Sequence, residues 1–457
     1  MKTDTPVRVP LHKPPLGLLE SVRTGRRNVL ELIPDIATKV PILSGRTVKR
    51  WHMIMDPGAL KRILKDNVDN YPKSVVTKLM LNPAIGDSLF IAEGAHWRWQ
   101  RRAAAPVFSH RNVTALGTVM SAAADRASER LAALPGEGDL YQEMVTATFE
   151  VISDVTFSGS AAFDRDATHK AIETYMSGVA KVSFLDIIGA PPWVPRPGRM
   201  FTRGVMGRMK DMADQTIDAR RAAPKKPTPD LLDLLLDGED PETKRQMTTA
   251  ELRDNLLAFI VAGHETTALA LGWALYLCAF DPKVQDKLRA EATKILQGRT
   301  ATAADVPNLP YTRQVIDETL RLYPPAAFLS RTAAGPDTLC GREVRKGDTV
   351  ILPIYALHRN ELLWDNPDHF DPDRFADAKN IDRFANLPFG DGPRICIGAS
   401  FAIQETVIVL ATLISRFRFS QVAGRAPKPV MILTLRPEGG VWLKVEAIGP
   451  GAQVLAA

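Results

Sequence analysis

The 457 residues are expected to form a mainly α fold with minor β, its small sheets lying near the N-terminus and in the C-terminal region. Most of the middle of the chain carries the apolar spacing of helices. The stretch Leu256–Phe280 is apolar nearly all round, which suits a long central helix buried on every side. β-like runs are few and short, near Gly45–Met55 and Val350–Ile354.

Taken in order, residues Met1 to Glu20 include Arg8, Pro10, Lys13, Pro14 and Pro15 but no apolar core segment. Neither a signal peptide nor a membrane anchor is expected, and the expected location is the cytoplasm. The first β-like run puts Arg46 on a strand. Asn82–Ile91 and the proline-rich Gly189–Gly198 have the composition of loops, where a pocket can open. Thr248 and Glu251 carry the spacing of a capping box, so the long helix starts there, and Asp281-Pro282 stops it. By length it resembles a membrane span.

Gly263 and then His264, Glu265, Thr266 and Thr267 interrupt that apolar run. A helical glycine costs about 1 kcal/mol relative to alanine, and buried polar groups cost more unless each finds a partner. Two readings are open. The threonines bond back to carbonyls one turn earlier at a kink, or a loosened turn leaves room above a metal for a diatomic ligand and water, with Thr266 donating a hydrogen bond and Glu265 relaying protons. A zinc protease is excluded, because the second histidine its helix needs is replaced by Ala268.

Composition narrows the classes further. With 45% hydrophobic and 24% charged residues the chain is globular and can build a core large enough to enclose a cofactor. No linker or repeat divides it, so residues 1–457 are expected to form a single domain without a fused reductase. The three cysteines, Cys278, Cys340 and Cys396, show no paired spacing, which argues against a disulfide framework and a structural zinc site. The net charge of +6 is spread along the chain, so nucleic acid is not an expected partner, and a basic face for an acidic electron-transfer protein is the more economical reading.

The segment Phe389–Gly398 sets Gly390, Gly392 and Gly398 around Cys396, with Arg394 two residues before the sulfur. A thiolate bound to iron needs backbone N–H donors nearby, and a tight glycine-bearing loop supplies them. An arginine at that spacing can reach a carboxylate of the cofactor. Phe389, Gly392, Arg394, Cys396 and Gly398 would match such a pattern by chance in on the order of one chain in ten thousand. The segment resembles the haem-binding loop of the cytochrome P450 family, and the resemblance spans most of the chain. In the same order Trp97 and Arg101 look like the propionate-contacting helix, Ala262–Thr267 like the oxygen-binding groove, and Glu318 with Arg321 like the structural ion-pair helix. Asp371–Phe375, which contains Arg374, follows.

The resemblance implies a P450 fold, haem b as cofactor, and Cys396 as its metal ligand. Trp97, Arg101, Ala262, Arg331, Phe389, Arg394 and Gly398 complete the expected cofactor site. Thiolate donation favours O–O cleavage, and Glu265 with Thr266 resemble the family's acid–alcohol pair for proton delivery. Glu318, Arg321 and Arg374 are expected to form a buried charge network. Electrons are expected from a separate ferredoxin or flavodoxin with an NAD(P)H-linked reductase, since few residues follow Cys396. The motifs run closest to soluble, microsomal-like bacterial fatty-acid hydroxylases. Phe90, Ala326, Phe328 and Leu433 then look like pocket-lining residues, and Arg46 like a site for a substrate carboxylate. The substrate class expected is a fatty acid, terpenoid or steroid, oxidised with one atom from O2. A peroxide-driven peroxygenase and a non-catalytic haem-thiolate sensor are the alternatives, and the Glu265–Thr266 pair argues against both.

Overall fold

The computed structural model describes residues 4–13, 17–46, 49–157 and 203–448, apart from 225, 227 and 432. Gly189–Gly198, expected as a loop, lies outside the described residues. The architecture is mainly α with small sheets, as expected. Its helices around the site are α1 (Val75–Ile85), α2 (Gly94–Ala104), α3 (Leu140–Phe157), α4 (Thr249–Phe280), α5 (Pro310–Leu322) and α6 (Ala399–Arg416).

The central helix α4 begins where the capping box places it. Glu251 N–H donates to Thr248 Oγ1 at 3.3 Å, and Thr248 N–H donates to a Glu251 carboxylate oxygen at 3.0 Å. It packs along α3 and also touches α5 and α6. Within it Trp273 is fully buried, stacks on Tyr323 at 4.0 Å between ring centroids, and donates its indole N–H to Leu435 O at 3.1 Å. Both α4 and α6 are long and apolar enough to cross a membrane, but 72% of each apolar window is buried inside the protein, as in core helices.

Four strands, β1 (Ile42–Arg46), β2 (Arg50–Ile54), β3 (Leu329–Thr332) and β4 (Thr349–Leu352), form one sheet in the order β1-β2-β4-β3. The run expected near Gly45–Met55 is therefore a hairpin, with Gly45 opposite Trp51 and Arg46 opposite Arg50. The second run stops at Leu352, because Pro353 has no N–H for the ladder, and Ile354 opens a helical turn. The loop expected over Asn82–Ile91 also begins later than proposed. Asn82 to Ile85 complete α1, whose last turn tolerates Pro83 and ends at Gly86 with φ +50°. A Cβ on Gly86 would lie 1.8 Å from an Asp254 oxygen, so glycine alone fits that turn. A C-terminal hairpin, β5 (Lys428–Met431) and β6 (Leu435–Glu438), reaches back to α4.

Candidate active site

Cys396 follows a short turn, Gly392–Arg394, and leads into α6. Gly392 has φ +71°, and a Cβ there would lie 2.0 Å from Leu64 O, so the loop can pass the neighbouring backbone only with glycine. Asp391 is buried, accepts the Gly392 N–H and pairs with Arg383, which sets the entry to the turn. Cys396 N–H donates to Phe389 O at 3.0 Å, and the Gly398 N–H bonds to the sulfur. The residue is exposed at its side chain, within a densely packed part of the protein. That burial pushes the thiol pKa up, while the Gly398 N–H and the nearby Arg101 charge pull it down.

α4 is helical throughout Gly263–Thr267. Its polar groups are compensated, the two threonines bonding back to carbonyls one turn earlier as the first reading expected. Thr266 Oγ1 donates to Ala262 O at 2.8 Å, Thr267 Oγ1 donates to Gly263 O at 2.9 Å, and His264 Nδ1 lies 2.7 Å from Ile260 O. Thr148 of α3 adds a bond to His264 O at 2.9 Å. Ala262 is exposed and Thr266 half-buried one turn later, so both open on one face of a largely buried helix. Glu265 is buried and turns elsewhere. Its Oε1 accepts from Thr434 Oγ1 at 2.8 Å and from the Arg436 guanidinium, both on the C-terminal hairpin segment. Sequence spacing does not mark Thr434 and Arg436 as partners of Glu265, because they lie 169 and 171 positions further along the chain.

A cavity of about 370 Å³ is lined by Lys73, Glu93, Trp97, Arg331 and Arg394 among others. The Arg394 guanidinium lies over the Trp97 ring at 4.1 Å, donates to Ala92 O at 2.7 Å and contacts Glu93. Burial and Arg394 pull Arg331 down to about 10, but a guanidinium stays protonated at physiological pH. Burial lowers Arg101 as well, and Cys396 opposes that shift. The structure thus brings Trp97, Arg331 and Arg394 to one cavity and Arg101 toward the sulfur. Lys73 was missed, since nothing in its local sequence marks it.

Glu318 and Arg321 are both fully buried. Arg321 donates to the two Glu318 oxygens at 2.6 and 2.7 Å. It also donates to His358 O and Pro367 O at 2.7 Å and to His369 O at 3.0 Å. Arg374 Nε lies 3.4 Å from Glu318 Oε1, which also accepts Asp371 N–H at 3.0 Å.

The cytochrome P450 family model matches residues 16–445. This chain belongs to the cytochrome P450 family. Protein LUTEIN DEFICIENT 5, chloroplastic, of Arabidopsis thaliana is 32% identical over 415 residues, covering 84% of this chain and 68% of that protein. Cyclooctat-9-en-7-ol 5-monooxygenase of Streptomyces melanosporofaciens is 33% identical over 369 residues, covering 77% and 79%. The crystal structure of cytochrome P450DA heme domain matches the fold with a TM-score of 0.79 at 26% identity, over 90% of this chain and 91% of that one. The P450 described here is accordingly a haem monooxygenase that works with a redox partner, O2 and a substrate.

Its residues fit such a cofactor. The exposed Cys396 supplies a soft ligand, the exposed Ala262 presents a small side chain on α4, and the Lys73, Arg331 and Arg394 cations offer counter-charge for two carboxylates. Of the expected pocket-lining residues, Phe90 and Ala326 are exposed and Phe328 and Leu433 half-buried. Leu435 N–H bonds to Pro325 O at 3.0 Å, which ties the segment carrying Ala326 and Phe328 to the hairpin next to Leu433. Arg46 is exposed at the end of β1, opposite Arg50.

Proposed function

We propose that this P450 is a single haem domain that binds haem b through Cys396 and oxidises a neutral lipophile, terpenoid-like in class, in the cytoplasm. The observation that carries the reading is the exposed Cys396, its backbone N–H fixed on the Phe389 carbonyl and its sulfur accepting the Gly398 N–H. When bound, thiolate-ligated haem supplies reductive activation of O2 and insertion of one oxygen atom. Cys396 would hold the iron. Trp97, Lys73, Arg331 and Arg394 would hold the carboxylates, with Arg101 the cation nearest the sulfur. Glu318, Arg321 and Arg374 would brace the segment that carries them.

Thr266 presents its hydroxyl on the face shared with Ala262, where Oγ1 can pass a proton into the pocket. Glu265, the neighbouring acid, has its Oε1 tied to Thr434 and Arg436, so it would take part in proton delivery only once that pair opens. Electrons would come from a separate ferredoxin or flavodoxin and its NAD(P)H-linked reductase, drawn to the chain's excess of Lys and Arg, a net +6.

Two things support a neutral substrate over a fatty acid. The Streptomyces relative is named for an unsaturated alcohol, and Arg46, the expected carboxylate anchor, is exposed opposite a second arginine. The test is optical. Reduced protein under carbon monoxide is expected to show the red-shifted Soret band of thiolate ligation, and folded, pigmented protein without it would overturn the assignment. Titrating ferric protein with terpenes, steroids and fatty acids then reads the class. A Soret shift with fatty acids alone would overturn the neutral-substrate reading.

A further inference from the structure

The carboxylate end of the site holds more positive charge than the chain balances. Lys73 and Arg331 stand directly opposite each other in an isolated antiparallel bridge. Ser74 N–H reaches Ser330 O at 3.4 Å beside it. Backbone pairing thus sets two cations side by side, an arrangement that destabilises a strand pair unless something offsets it. Arg394 is a third cation on the same cavity, and Lys78 a fourth nearby. Among the described residues Glu93 and Asp69 are the carboxylates on this cavity, and both are already shared. Glu93 contacts Arg394, lies 3.6 Å from Lys78 Nζ, and accepts the Lys73 backbone N–H at 2.9 Å.

Asp69 pairs at 2.9 Å with Arg98, a further cation on the same wall, and the Tyr71 hydroxyl donates to Asp337 at 2.7 Å. The Lys73 ammonium itself lies 4.2 Å from the centroid of the Phe90 ring. A guanidinium does not give up its proton under physiological conditions, whereas a desolvated lysine does. Relief of the crowding therefore falls on Lys73. Burial, with Arg331 and Arg394 adding to it, brings this lysine down to about 7, against the opposing pull of Glu93.

We propose that the site takes up its dicarboxylate cofactor and one solvent proton together, with Lys73 Nζ as the group that accepts the proton. The reading rests on the haem assignment above. Its sign follows from linkage: the carboxylates favour the charged amine, so the loaded state binds more protons than the empty one as pH rises past neutrality. From Lys73 alone, haem affinity then falls by up to about tenfold per pH unit until the loaded lysine itself titrates. The Cys396 thiol works in the opposite sense, because it releases a proton when its sulfur ligates iron. The contribution of Lys73 is therefore read as a difference between variants that share Cys396.

The experiment is an equilibrium competition for haem between the full-length holoenzyme and excess apomyoglobin from about pH 6 to pH 9, scored by the Soret spectrum. Lys73→Arg keeps a charge that does not titrate, and Lys73→Met has none. Above neutrality, both variants are expected to differ from wild type in the slope of log affinity against pH by close to one proton, Lys73→Arg at high affinity and Lys73→Met at low. With haem dimethyl ester, which lacks carboxylates, the difference between wild type and Lys73→Arg is expected to vanish. Equal slopes in wild type and both variants, or a difference that persists with the diester, would overturn the proposal. Absence of the thiolate signature in wild type would instead bring down the haem reading, so the two failures are distinguishable.

Discussion

Replacing Glu318 by alanine tests whether the buried ion pair braces the haem-binding segment. In the native protein Arg321 spends its donors on two Glu318 oxygens and three backbone carbonyls, with no side-chain exposure at either partner. Removing the carboxylate leaves that guanidinium charge buried with carbonyl dipoles alone, and it takes away the acceptor of Asp371 N–H and the counter-ion of Arg374. Breaking one side of such a pair costs about 3–5 kcal/mol. Against a typical total of about 5–15 kcal/mol, that is roughly a hundred- to several-thousand-fold in the folding equilibrium. Glu318→Gln keeps an acceptor oxygen and is expected to lose less. The measurement is urea unfolding of each purified variant, run beside the carbon monoxide spectrum. The expected outcome for Glu318→Ala is a large drop in stability together with loss of haem. A change under about 1 kcal/mol with an unaltered spectrum would refute the argument, since it would mean that the pair's desolvation had cancelled its attraction.

Thr266→Ala is expected to keep haem and substrate binding while diverting electrons to peroxide, seen as a fall in product formed per NAD(P)H consumed; unchanged coupling would remove Thr266 from proton delivery. Arg436→Gln is expected to free the Glu265 carboxylate from its ion pair, seen as a change in product formed per NAD(P)H consumed that is absent from the double variant with Glu265→Gln; equal coupling in all three would detach the pair from proton delivery. His358 is fully buried, its Nδ1 3.1 Å from Arg321 O and its Nε2 accepting Leu387 N–H at 2.8 Å, and burial followed by Arg321 brings it down to about 3. The unfolded chain therefore takes up this proton below about pH 6.5 while the folded one does not, so stability falls with pH across that window, by up to about 2 kcal/mol at pH 5, and His358→Gln is expected to flatten that slope in urea unfolding.

What was legible in the sequence is what short range can specify. The capping box of Thr248 and Glu251, the glycines around Cys396, and the pair Glu318 and Arg321 each lie within a few positions of one another, so residue type and spacing carry their geometry. The hairpin hidden in Gly45–Met55 and the extra turn over Asn82–Ile85 are boundary errors, where composition is ambiguous between a strand and its turn, or between a loop and a last helical turn that tolerates proline. The polar break in α4 was legible only in part. Polar residues in a buried helix signal that partners must exist, but whether the backbone or another segment supplies them is decided by tertiary contacts. Lys73 facing Arg331, and Glu265 facing Thr434 and Arg436, are such contacts, made between residues distant in the chain.

The position of Glu265 also changes how an acid–alcohol pair can work in this protein. Consecutive residues on an α-helix point about 100° apart, so Glu265 and Thr266 cannot address one point in the pocket together. Thr266 shares the face of Ala262, while Glu265 faces the C-terminal hairpin. In the proposed reaction a proton held at Glu265 reaches Thr266 only if the carboxylate leaves Arg436 or passes the proton through an intervening group. The cost of leaving is bounded by the exposure of Arg436, whose side chain is 38% accessible while that of Glu265 is 4%. Solvent can recover the guanidinium when the pair opens, so the arginine's share of the cost is nearer that of a surface pair, about 0–1 kcal/mol, than of a fully buried one. The carboxylate has no such recourse, and it keeps only the Thr434 hydroxyl. The pair is thus held mainly by the desolvation of the acid, and any change that wets Glu265 loosens it more than one that merely screens Arg436.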